Sequence, residues 1–370
     1  MSVQGLFGGR EKVCVAIVQA SPVFLDKNRT IKKAKQLISE AAAQHANLIV
    51  FPETWIPTYP YWTSAALGED DAKKYARAMI ALQDNSIRIP SEDTDQLSDA
   101  ARNNHVHLVV GCNELSDIPG SRTIYNSMIF IDDEGRLLGK HRKLVPTLDE
   151  RLVWGMGDGT DLNVYATKIG RIGGLICWEN HMVLARATLI MKGEEFHVAV
   201  WPGSWYTDKR LSDADKAGGF CDLFPAIREH AFEAGAFVVS AAPVMTLNDV
   251  PTDFPYREKM NLDWACGGSA VVDPMGNFLV NPVFDKQTIV YANCAAESIK
   301  IAKAFFDSLG HYSRFDVARL ELRQDHWSPF VKTNRKFTSS DLEAIAKKHN
   351  VDEEKVKKIY EELTESQGSV

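Results

Sequence analysis

Hydrophobic positions along the chain follow two periods, which together predict a mixed α/β fold. Short apolar runs at residues 13–19, 47–51 and 107–112 are typical of strands that are buried on both faces. Residues 26–45 instead repeat apolar side chains at helical spacing, as an amphipathic helix does. The same patterns predict further strands at residues 123–131, 136–142, 163–168, 172–177, 197–201, 236–241, 269–280 (a hairpin) and 287–292, and helices at residues 91–104, 178–192, 221–234 and 297–309.

Two pairs of predicted strands are joined by short turns, at residues 132–135 and 169–171, with no helix between them. This mixture of hairpins and helix-linked strands favours mixed sheets with helices outside over a purely parallel sheet. Residues 340–363 differ, because they are rich in charge and their apolar positions predict two short helices. We therefore expect one large domain over residues 1–320 and a charge-rich helical extension over residues 321–370.

Charge restricts the classes of function. The chain has 370 residues, of which 49 are acidic and 42 basic, so its formal net charge is −7. Binding to nucleic acid or to an anionic membrane needs a basic face, and we expect neither. In the extension, residues 341–362 carry five lysines against seven acidic residues. That balance fits an interaction appendage or a docked helical hairpin better than a DNA-binding motif.

Apolar runs and cysteines indicate a compartment. No apolar run approaches the roughly 18 residues of a membrane span, and residues 1–10 lack the apolar segment of a secretory signal. The cysteines are spread along the chain without a CxxC pair, which is typical of free thiols in a reducing cytoplasm. They are Cys14, Cys112, Cys177, Cys221, Cys266 and Cys294.

Cys177 is the cysteine whose position predicts chemistry. It ends a predicted apolar strand and opens a predicted helix. A thiol at a helix N-terminus feels the positive end of the helix dipole, which favours the reactive thiolate. The same turn offers the backbone N–H of Trp178 to a developing oxyanion. The alternative is that Cys177 is a small buried packing residue, as most cysteines are.

Three charged residues also lie next to predicted strands. Glu53 follows a buried strand that we expect to end at Pro52, and apolar neighbours would raise its pKa towards that of a general base. Lys143 closes another strand and can donate to developing negative charge, while Glu150 lies close enough in sequence to pair with it. Each also has an ordinary interpretation as a solvated charge or a surface ion pair. Together with Cys177, these residues suit the addition of a thiol to a polar carbon–nitrogen bond.

The motifs around these residues resemble the nitrilase branch of the carbon-nitrogen hydrolase superfamily. The resemblance covers roughly residues 11–320 and is specific, because the long motifs occur in the same order. They are Phe51-Pro52-Glu53, Pro60-Tyr61-Trp62, His141-Arg142-Lys143-Leu144-Val145-Pro146-Thr147, Glu150-Arg151, Trp154-Gly155, Gly157-Asp158-Gly159 and Cys177-Trp178-Glu179-Asn180.

The resemblance implies a four-layer α-β-β-α sandwich with two mixed sheets, and a role for each of four residues. Cys177 would be the nucleophile and Glu53 the general base. Lys143 would donate a proton and stabilise negative charge, and Glu150 would orient Lys143. We call these four residues the tetrad.

The resemblance also implies a reaction and an assembly. An organic nitrile would be hydrolysed to a carboxylic acid and ammonia through a thioimidate and a thioester, with no metal and no organic cofactor. Subunits of this family pair so that their sheets extend the sandwich, and nitrilases often assemble further into spirals or filaments. We therefore expect a homo-oligomer whose partner molecule is a small nitrile.

Substrate contacts are predicted only by residue type. Aromatic side chains that suit an apolar or aromatic nitrile are Tyr59, Tyr61, Trp62, Trp154, Trp178, Trp201 and Trp205. His181, four residues after Cys177, either faces the same site or caps and packs locally. Within the family that the chain resembles, the Cys177-Trp178-Glu179-Asn180 motif and the Pro60-Tyr61-Trp62 segment favour nitriles over amides.

Other functions remain open at this point. An amidase would use the same tetrad, a cyanide-degrading enzyme would need only a smaller pocket, and a filament-forming scaffold would not use the tetrad at all. A metal hydrolase built on His105 and His107 lacks a third ligand at a characteristic spacing. No phosphate-binding glycine motif is present.

Overall fold

The computed structural model describes residues 5–67, 71–204, 223–324, 342–343, 346–347 and 351–358. The chain divides into two units, Met1–His326 and Trp327–Val370, whereas the sequence predicts a boundary near residue 320. In the second unit, residues 353–358 are helical and Leu342 is buried. Residues 342–343 and 346–347 are also helical, and the other residues of the predicted tail helices lie outside the described residues, apart from residues 351 and 352.

Within the described residues, twelve strands form two six-stranded sheets. The strands are β1 (Lys12–Gln19), β2 (Leu48–Ile56), β3 (His107–Leu115), β4 (Ile124–Ile131), β5 (Leu137–Arg142), β6 (Tyr165–Thr167), β7 (Gly170–Ile176), β8 (Phe196–Val200), β9 (Phe237–Ala241), β10 (Gly267–Val272), β11 (Phe278–Phe284) and β12 (Thr288–Ala295). The helices are α1 (Lys27–Ala43), α2 (Thr63–Leu67), α3 (Ala72–Asp84), α4 (Glu92–Asn104), α5 (Val183–Met191), α6 (Leu223–Ala234) and α7 (Ala296–Phe305). None of these helices is both long and apolar enough to cross a membrane.

The two sheets repeat one pattern of strand pairing. The first sheet has the order β12-β1-β2-β3-β4-β5, and the second, read from its β6 edge, has the order β6-β7-β8-β9-β10-β11. In the first sheet β1, β2 and β3 are parallel, in the second β7, β8 and β9 are parallel, and all other neighbours are antiparallel. Parallel neighbours need a crossover connection, and helices supply it between these strands. The mixed sheets predicted from the sequence are confirmed.

Four layers form because each sheet is covered on both faces. Side chains alternate along the strands, so Val15 and Val50 enter the core between the sheets, together with Val198 from the second sheet. The intervening residues, such as Ile49, pack outwards against α1 and α4. Leu175 of β7 packs outwards against α5. The predicted α-β-β-α sandwich is therefore confirmed.

Strand β2 continues past Pro52, contrary to the prediction that it ends there. The register between β2 and β3 shifts between Phe51 and Ile56, so residues 52–55 bulge out of the hydrogen-bonded ladder. Gly111 on β3 faces this bulge, and a Cβ atom at that position would lie 2.1 Å from the carbonyl oxygen of Pro52. Pro52 has no backbone N–H to donate, and it is tolerated here because the bulge takes residues 52–55 out of the regular hydrogen-bonded ladder.

The helix predicted over residues 178–192 is divided into two elements. Cys177–His181 forms a 3-10 turn, and α5 begins only at Val183. Cys177 itself has a φ of 54°, in the left-handed region. The thiol therefore lies at a sharp turn after β7 and not at the N-terminus of an α-helix, so the helix-dipole argument made from the sequence is wrong.

Helix α3 is an element that the sequence analysis did not predict. Its N-terminus is capped by Asp71, whose side chain accepts a hydrogen bond from the backbone N–H of Lys74. Only Ala78 and Leu82 are buried on it. An apolar stripe this short gives little periodic signal, which explains why the helix was missed.

Candidate active site

The bulge of β2 carries Glu53, whose side chain is buried. Its Oε1 atom accepts hydrogen bonds from Asn126 Nδ2 at 2.5 Å and from Lys143 Nζ at 3.0 Å. Its Oε2 atom has no hydrogen-bond partner among the described residues. Burial raises the pKa of Glu53 to about 7, against the nearby positive charge of Lys143. A carboxyl group of this kind exchanges a proton near neutral pH, as a general base must.

Lys143 immediately follows β5 and is held by its backbone on both sides. Its N–H donates to the carbonyl of Asn126 at 2.8 Å, and its own carbonyl accepts from the N–H of Gly157 at 2.8 Å. Asn126 therefore binds Lys143 through its backbone and Glu53 through its side chain. The two charged groups are positioned by one residue of β4.

The ammonium of Lys143 is completely buried between two carboxylates. Its Nζ atom lies 3.0 Å from Oε1 of Glu53 and 2.7 Å from Oε2 of Glu150. Burial alone would lower the pKa of Lys143, but the negative charges around it, that of Cys177 first, hold the pKa well above its ordinary value. The ammonium therefore stays charged, and a metal cation between these carboxylates would be repelled by it.

Glu150 lies in a 3-10 turn, Leu148–Leu152, and uses both of its carboxylate oxygens. Oε2 accepts from Lys143 and, at 2.6 Å, from the backbone N–H of Thr147. Oε1 accepts from the hydroxyl of Tyr59 at 2.8 Å. The contacts with Thr147 and Tyr59 fix the orientation of the carboxylate that binds Lys143, as expected of an orienting residue.

The sulfur of Cys177 lies within 4.8 Å of a carboxylate oxygen from Glu53 and of one from Glu150. Cys177 is 7% exposed and lines a cavity of about 540 Å³. Its turn is held by Asn180, whose Nδ2 atom donates to the carbonyl of Cys177 at 2.9 Å. The structure therefore brings all four tetrad residues together, although they come from both sheets and are spread over 125 positions of the chain, from 53 to 177.

The described wall of the cavity is rich in aromatic side chains. They are Tyr59, Tyr61, Trp178, Trp201 and Trp264, and Met260 and Leu262 add further apolar surface. The rings of Tyr59 and Tyr61 lie 4.9 Å apart, and Trp264 packs edge-on against both at 5.3 and 5.2 Å. Such a wall suits an apolar or aromatic group.

Two predicted pocket residues are core residues in the structure. Trp62 is fully buried, and its ring packs against Phe254 at 5.2 Å. Trp154 lies behind Tyr59, with a ring separation of 5.4 Å, and its Nε1 atom donates to Asn113 at 2.8 Å. Neither belongs to the described cavity wall, so the structure corrects their assignment as substrate contacts.

His181 is exposed and lies against the rings of Trp178 and Trp201, at 6.1 and 6.4 Å. It is not part of the described cavity wall. The structure therefore favours packing beside the wall over the predicted contact with the site. Trp205 lies outside the described residues.

Sequence reasoning missed Asn126 and Trp264. Asn126 carries a weak signal, because it is a polar residue within the otherwise apolar strand β4 and is fully buried there. Trp264 follows no strand or helix pattern and precedes β10 in a loop. Only the packing of that loop against Tyr59 and Tyr61 reveals its place in the wall.

A second buried cluster supports the turn of Cys177 from behind. Nδ1 of His197 lies 3.0 Å from Oε2 of Glu194, and Nε2 of His230 hydrogen-bonds to Oε1. Nε2 of His197 lies 2.9 Å from Oδ1 of Asn180, the residue that holds the carbonyl of Cys177. Glu194, His197 and His230 have the donor types of a metal site. Their contacts are however those of a hydrogen-bonded chain, in which each carboxylate oxygen already faces one ring nitrogen.

Comparison with known proteins adds four findings. The sequence profile described as carbon-nitrogen hydrolase matches residues 14–304. Nitrilase 2 of an unknown prokaryotic organism is 36% identical over 320 residues, which cover 86% of this chain and 94% of the relative. Nitrilase 1 of Arabidopsis thaliana is 36% identical over 330 residues, which cover 84% and 87%. A crystal structure of a carbon-nitrogen hydrolase from Helicobacter pylori G27 shares the fold, with a TM-score of 0.63 at 20% identity over 83% of this chain and 96% of that one.

Proposed function

The chain belongs to the carbon-nitrogen hydrolase family, in its nitrilase branch, and from that premise we propose that it hydrolyses an organic nitrile to a carboxylic acid and ammonia. One observation carries the proposal, namely the meeting of four side chains beside an aromatic cavity. Those side chains are Glu53, Lys143, Glu150 and Cys177. The arrangement supplies a nucleophile, a base and a fixed positive charge within one buried cluster.

The first step joins the sulfur to the nitrile carbon. Glu53 accepts the thiol proton, the sulfur attacks, and one π-electron pair of the carbon–nitrogen triple bond moves to nitrogen. Lys143 donates a proton to that nitrogen, which gives a thioimidate. The hydrogen bond of 3.0 Å between Glu53 and Lys143 then returns the proton to the amine.

The next steps consume two molecules of water. Glu53 takes a proton from the first water, whose oxygen adds to the thioimidate carbon. Both protons of that water pass to the nitrogen, one of them by way of Glu53, and the carbon–nitrogen bond breaks to release ammonia and leave a thioester. We assign the backbone N–H of Trp178 to the oxyanion of this step. The second water hydrolyses the thioester, which releases the acid and restores the thiol. Glu150 keeps the amine aimed throughout, because a misplaced catalytic group loses much of its effect.

The cavity supports an apolar or aromatic nitrile as the substrate. Its described wall combines Tyr59, Tyr61 and Trp264 in one packed group, and Trp178 and Trp201 add further aromatic surface. A volume of about 540 Å³ accommodates a group of the size of a phenyl ring.

A substrate panel tests the proposal. Release of ammonia and of acid is measured for aliphatic, aromatic and arylacetic nitriles and for cyanide, with the matching amides in parallel and Cys177→Ala as the control. We expect acid and ammonia from aromatic or arylacetic nitriles, and none from the control. If no nitrile releases ammonia above the level of Cys177→Ala, the proposed function is wrong.

The same panel separates the other functions that the tetrad allows. Turnover of amides alone would identify an amidase, because a carboxamide enters the mechanism without the thioimidate. Turnover of cyanide alone would identify a cyanide-degrading enzyme. Failure of every substrate would leave a filament-forming scaffold.

We also propose that the chain acts as a homo-oligomer, built from dimers and extending to spirals or filaments, in a reducing cytoplasm. Val183 and Leu184 at the start of α5 are 67% and 69% exposed, and a partner subunit would cover such apolar side chains. Light scattering after size-exclusion chromatography measures the assembly. A strictly monomeric mass at micromolar concentration would contradict this part of the proposal.

A further inference from the structure

Glu179, two residues after Cys177, is completely buried and accepts three hydrogen bonds. Its Oε2 atom accepts from the backbone N–H of Ile176 at 2.8 Å and from Nε2 of His141 at 2.9 Å. Its Oε1 atom accepts from the backbone N–H of Leu144 at 2.7 Å. Both oxygens are therefore in use, and all three donors are protein groups.

These donors are neighbours of two tetrad residues. Ile176 precedes Cys177, and Leu144 follows Lys143. The two segments belong to different sheets, since β5 is an edge strand of the first sheet and β7 lies in the second. No strand ladder joins them, and Glu179 links them across the sandwich through a single carboxylate.

The link is made by an ionised group. Burial by itself would raise the pKa of Glu179, but the charge of His141 and the two backbone N–H groups hold it below its ordinary value. Burial by itself would lower the pKa of His141, and Glu179 raises it. Hydrogen bonds to a charged acceptor are shorter and stronger than those to a neutral one. The bridge is therefore stiff.

We infer that Glu179 is a positioning residue that fixes the ammonium of Lys143 relative to the sulfur of Cys177. The inference rests on the proposed function for its catalytic meaning. It extends that function by naming the group that joins the segment of Lys143, after a strand of the first sheet, to the segment of Cys177, after a strand of the second. Displacement of a catalytic group by about 1 Å lowers turnover by about 100-fold.

Glu179→Gln tests the inference with minimal change in shape. The amide has one acceptor oxygen in place of two, so its nitrogen would face a backbone N–H and one segment would be released. We expect kcat to fall about 100-fold while KM changes less than about threefold. If Glu179 acted only in folding, Glu179→Gln would yield less active enzyme, but the kcat of the folded enzyme would not change. For this reason kcat is calculated per active site, and the active sites are titrated with a thiol reagent.

Glu195→Gln is the matched control. Glu195 is equally buried and accepts from the backbone N–H of Phe7 at 2.6 Å, but it contacts Arg171 and not the tetrad. We expect this variant to lose stability and to keep the kcat of the parent. Equal losses of kcat in Glu195→Gln and Glu179→Gln would overturn the inference.

A second readout does not depend on the substrate. Iodoacetamide alkylation of Cys177 at pH 7, followed by mass spectrometry of its peptide, reports how well the ammonium of Lys143 stabilises the thiolate. We expect alkylation to be about 10-fold slower in Glu179→Gln and unchanged in Glu195→Gln. If alkylation slows in Glu179→Gln as expected but no nitrile is turned over, the proposed function is refuted and the inference stands. An unchanged alkylation rate in Glu179→Gln would refute the inference.

Glu179→Asp replaces Glu179→Gln if the latter does not fold. The aspartate keeps the charge but is one methylene shorter, so it cannot reach Ile176 and Leu144 together. We expect kcat and the alkylation rate to fall in this variant too, but by less than in Glu179→Gln. A folded Glu179→Asp that equals the parent in both would overturn the inference.

Discussion

Asn126 donates a hydrogen bond of 2.5 Å from its side-chain amide to the carboxylate of Glu53. The same oxygen of Glu53 contacts the ammonium of Lys143, and the backbone carbonyl of Asn126 accepts from the N–H of Lys143. The base and the amine are therefore tuned and positioned by one asparagine.

Removal of the Asn126 amide is expected to shift the pH profile. The amide favours the charged form of Glu53 and so lowers its pKa, which burial has raised to about 7. In Asn126→Leu the pKa of Glu53 rises. Because the base must be ionised to act, the acidic limb of kcat/KM moves to higher pH, and activity at pH 6 falls more than activity at pH 8. Steady-state kinetics between pH 5 and 9 measure the shift.

The control for this profile is Asn113→Leu. Asn113 is an equally buried asparagine on the adjacent strand β3, and it binds the indole of Trp154 rather than Glu53. We expect it to change stability and to leave the acidic limb in place. If the acidic limb of kcat/KM does not move in Asn126→Leu, Glu53 is not the group whose ionisation the pH profile reports.

Loss of the sulfur of Cys177 is expected to abolish turnover. Cys177→Ala should lower kcat by about 10⁴-fold or more, because no other group can form the covalent intermediate. The side chain is small, so the melting temperature should change by only a few degrees. Ammonia release and circular dichroism check the two outcomes. Retained turnover in the alanine variant would end the covalent mechanism.

A methyl group at Gly111 is expected to displace the base. The Cβ atom of Gly111→Ala would lie 2.1 Å from the carbonyl oxygen of Pro52 and 2.8 Å from Cα of Glu53. The bulge must move to relieve this overlap, and we expect kcat to fall about 100-fold. Kinetics on the folded fraction measure the effect. A variant with the melting temperature and the kcat of the parent would show that the bulge does not depend on this close approach.

We expect substitutions of two tryptophans, one in the cavity wall and one in the core, to have different effects. Trp264 lines the cavity, so Trp264→Leu should raise kcat/KM for bulky nitriles relative to small ones by about 10-fold. Trp62 lies in the core, so Trp62→Leu should lower the free energy of unfolding by about 3 kcal/mol and leave the substrate preference unchanged. The nitrile panel and urea unfolding distinguish them. A change of preference in Trp62→Leu alone would reverse the two assignments.

The buried His230 is expected to make the fold sensitive to acid. Burial lowers the pKa of His230 from 6.5 to about 4. Between these values the unfolded chain binds a proton that the folded chain does not, so stability is present above pH 6.5 and is lost as the pH falls through about 4. In His230→Gln this loss should shrink by on the order of 2 kcal/mol. Urea unfolding at pH 7, 6, 5 and 4 measures it.

The exposed His311 provides the comparison for His230. His311→Gln should lose stability with acid as the parent does, because it leaves the buried cluster of Glu194, His197 and His230 unchanged. If both variants lost stability with acid as steeply as the parent, the acid sensitivity would come from other groups.

The sequence by itself determined most of the secondary-structure elements and the residue types of the site. Alternating and helical apolar periods record which face of an element is buried, and this is a local property, so most strands and helices were found with small shifts in their ends. The order and spacing of the motifs around Glu53, Lys143, Glu150 and Cys177 were likewise readable along the chain.

Only the tertiary structure decided how those residues meet. The bulge opposite Gly111 and the left-handed turn at Cys177 depend on how neighbouring strands approach, and apolar periods carry no signal for either. Asn126 acts on Glu53, which is 73 positions distant in sequence, and Glu179 joins its near neighbour Ile176 to Leu144, which is 35 positions distant and follows a strand of the other sheet. The choice between wall and core for Tyr59 and Trp62 also follows from packing. A single sequence specifies which side chains must be buried, whereas the distance between two buried side chains is set by all the layers that hold them apart.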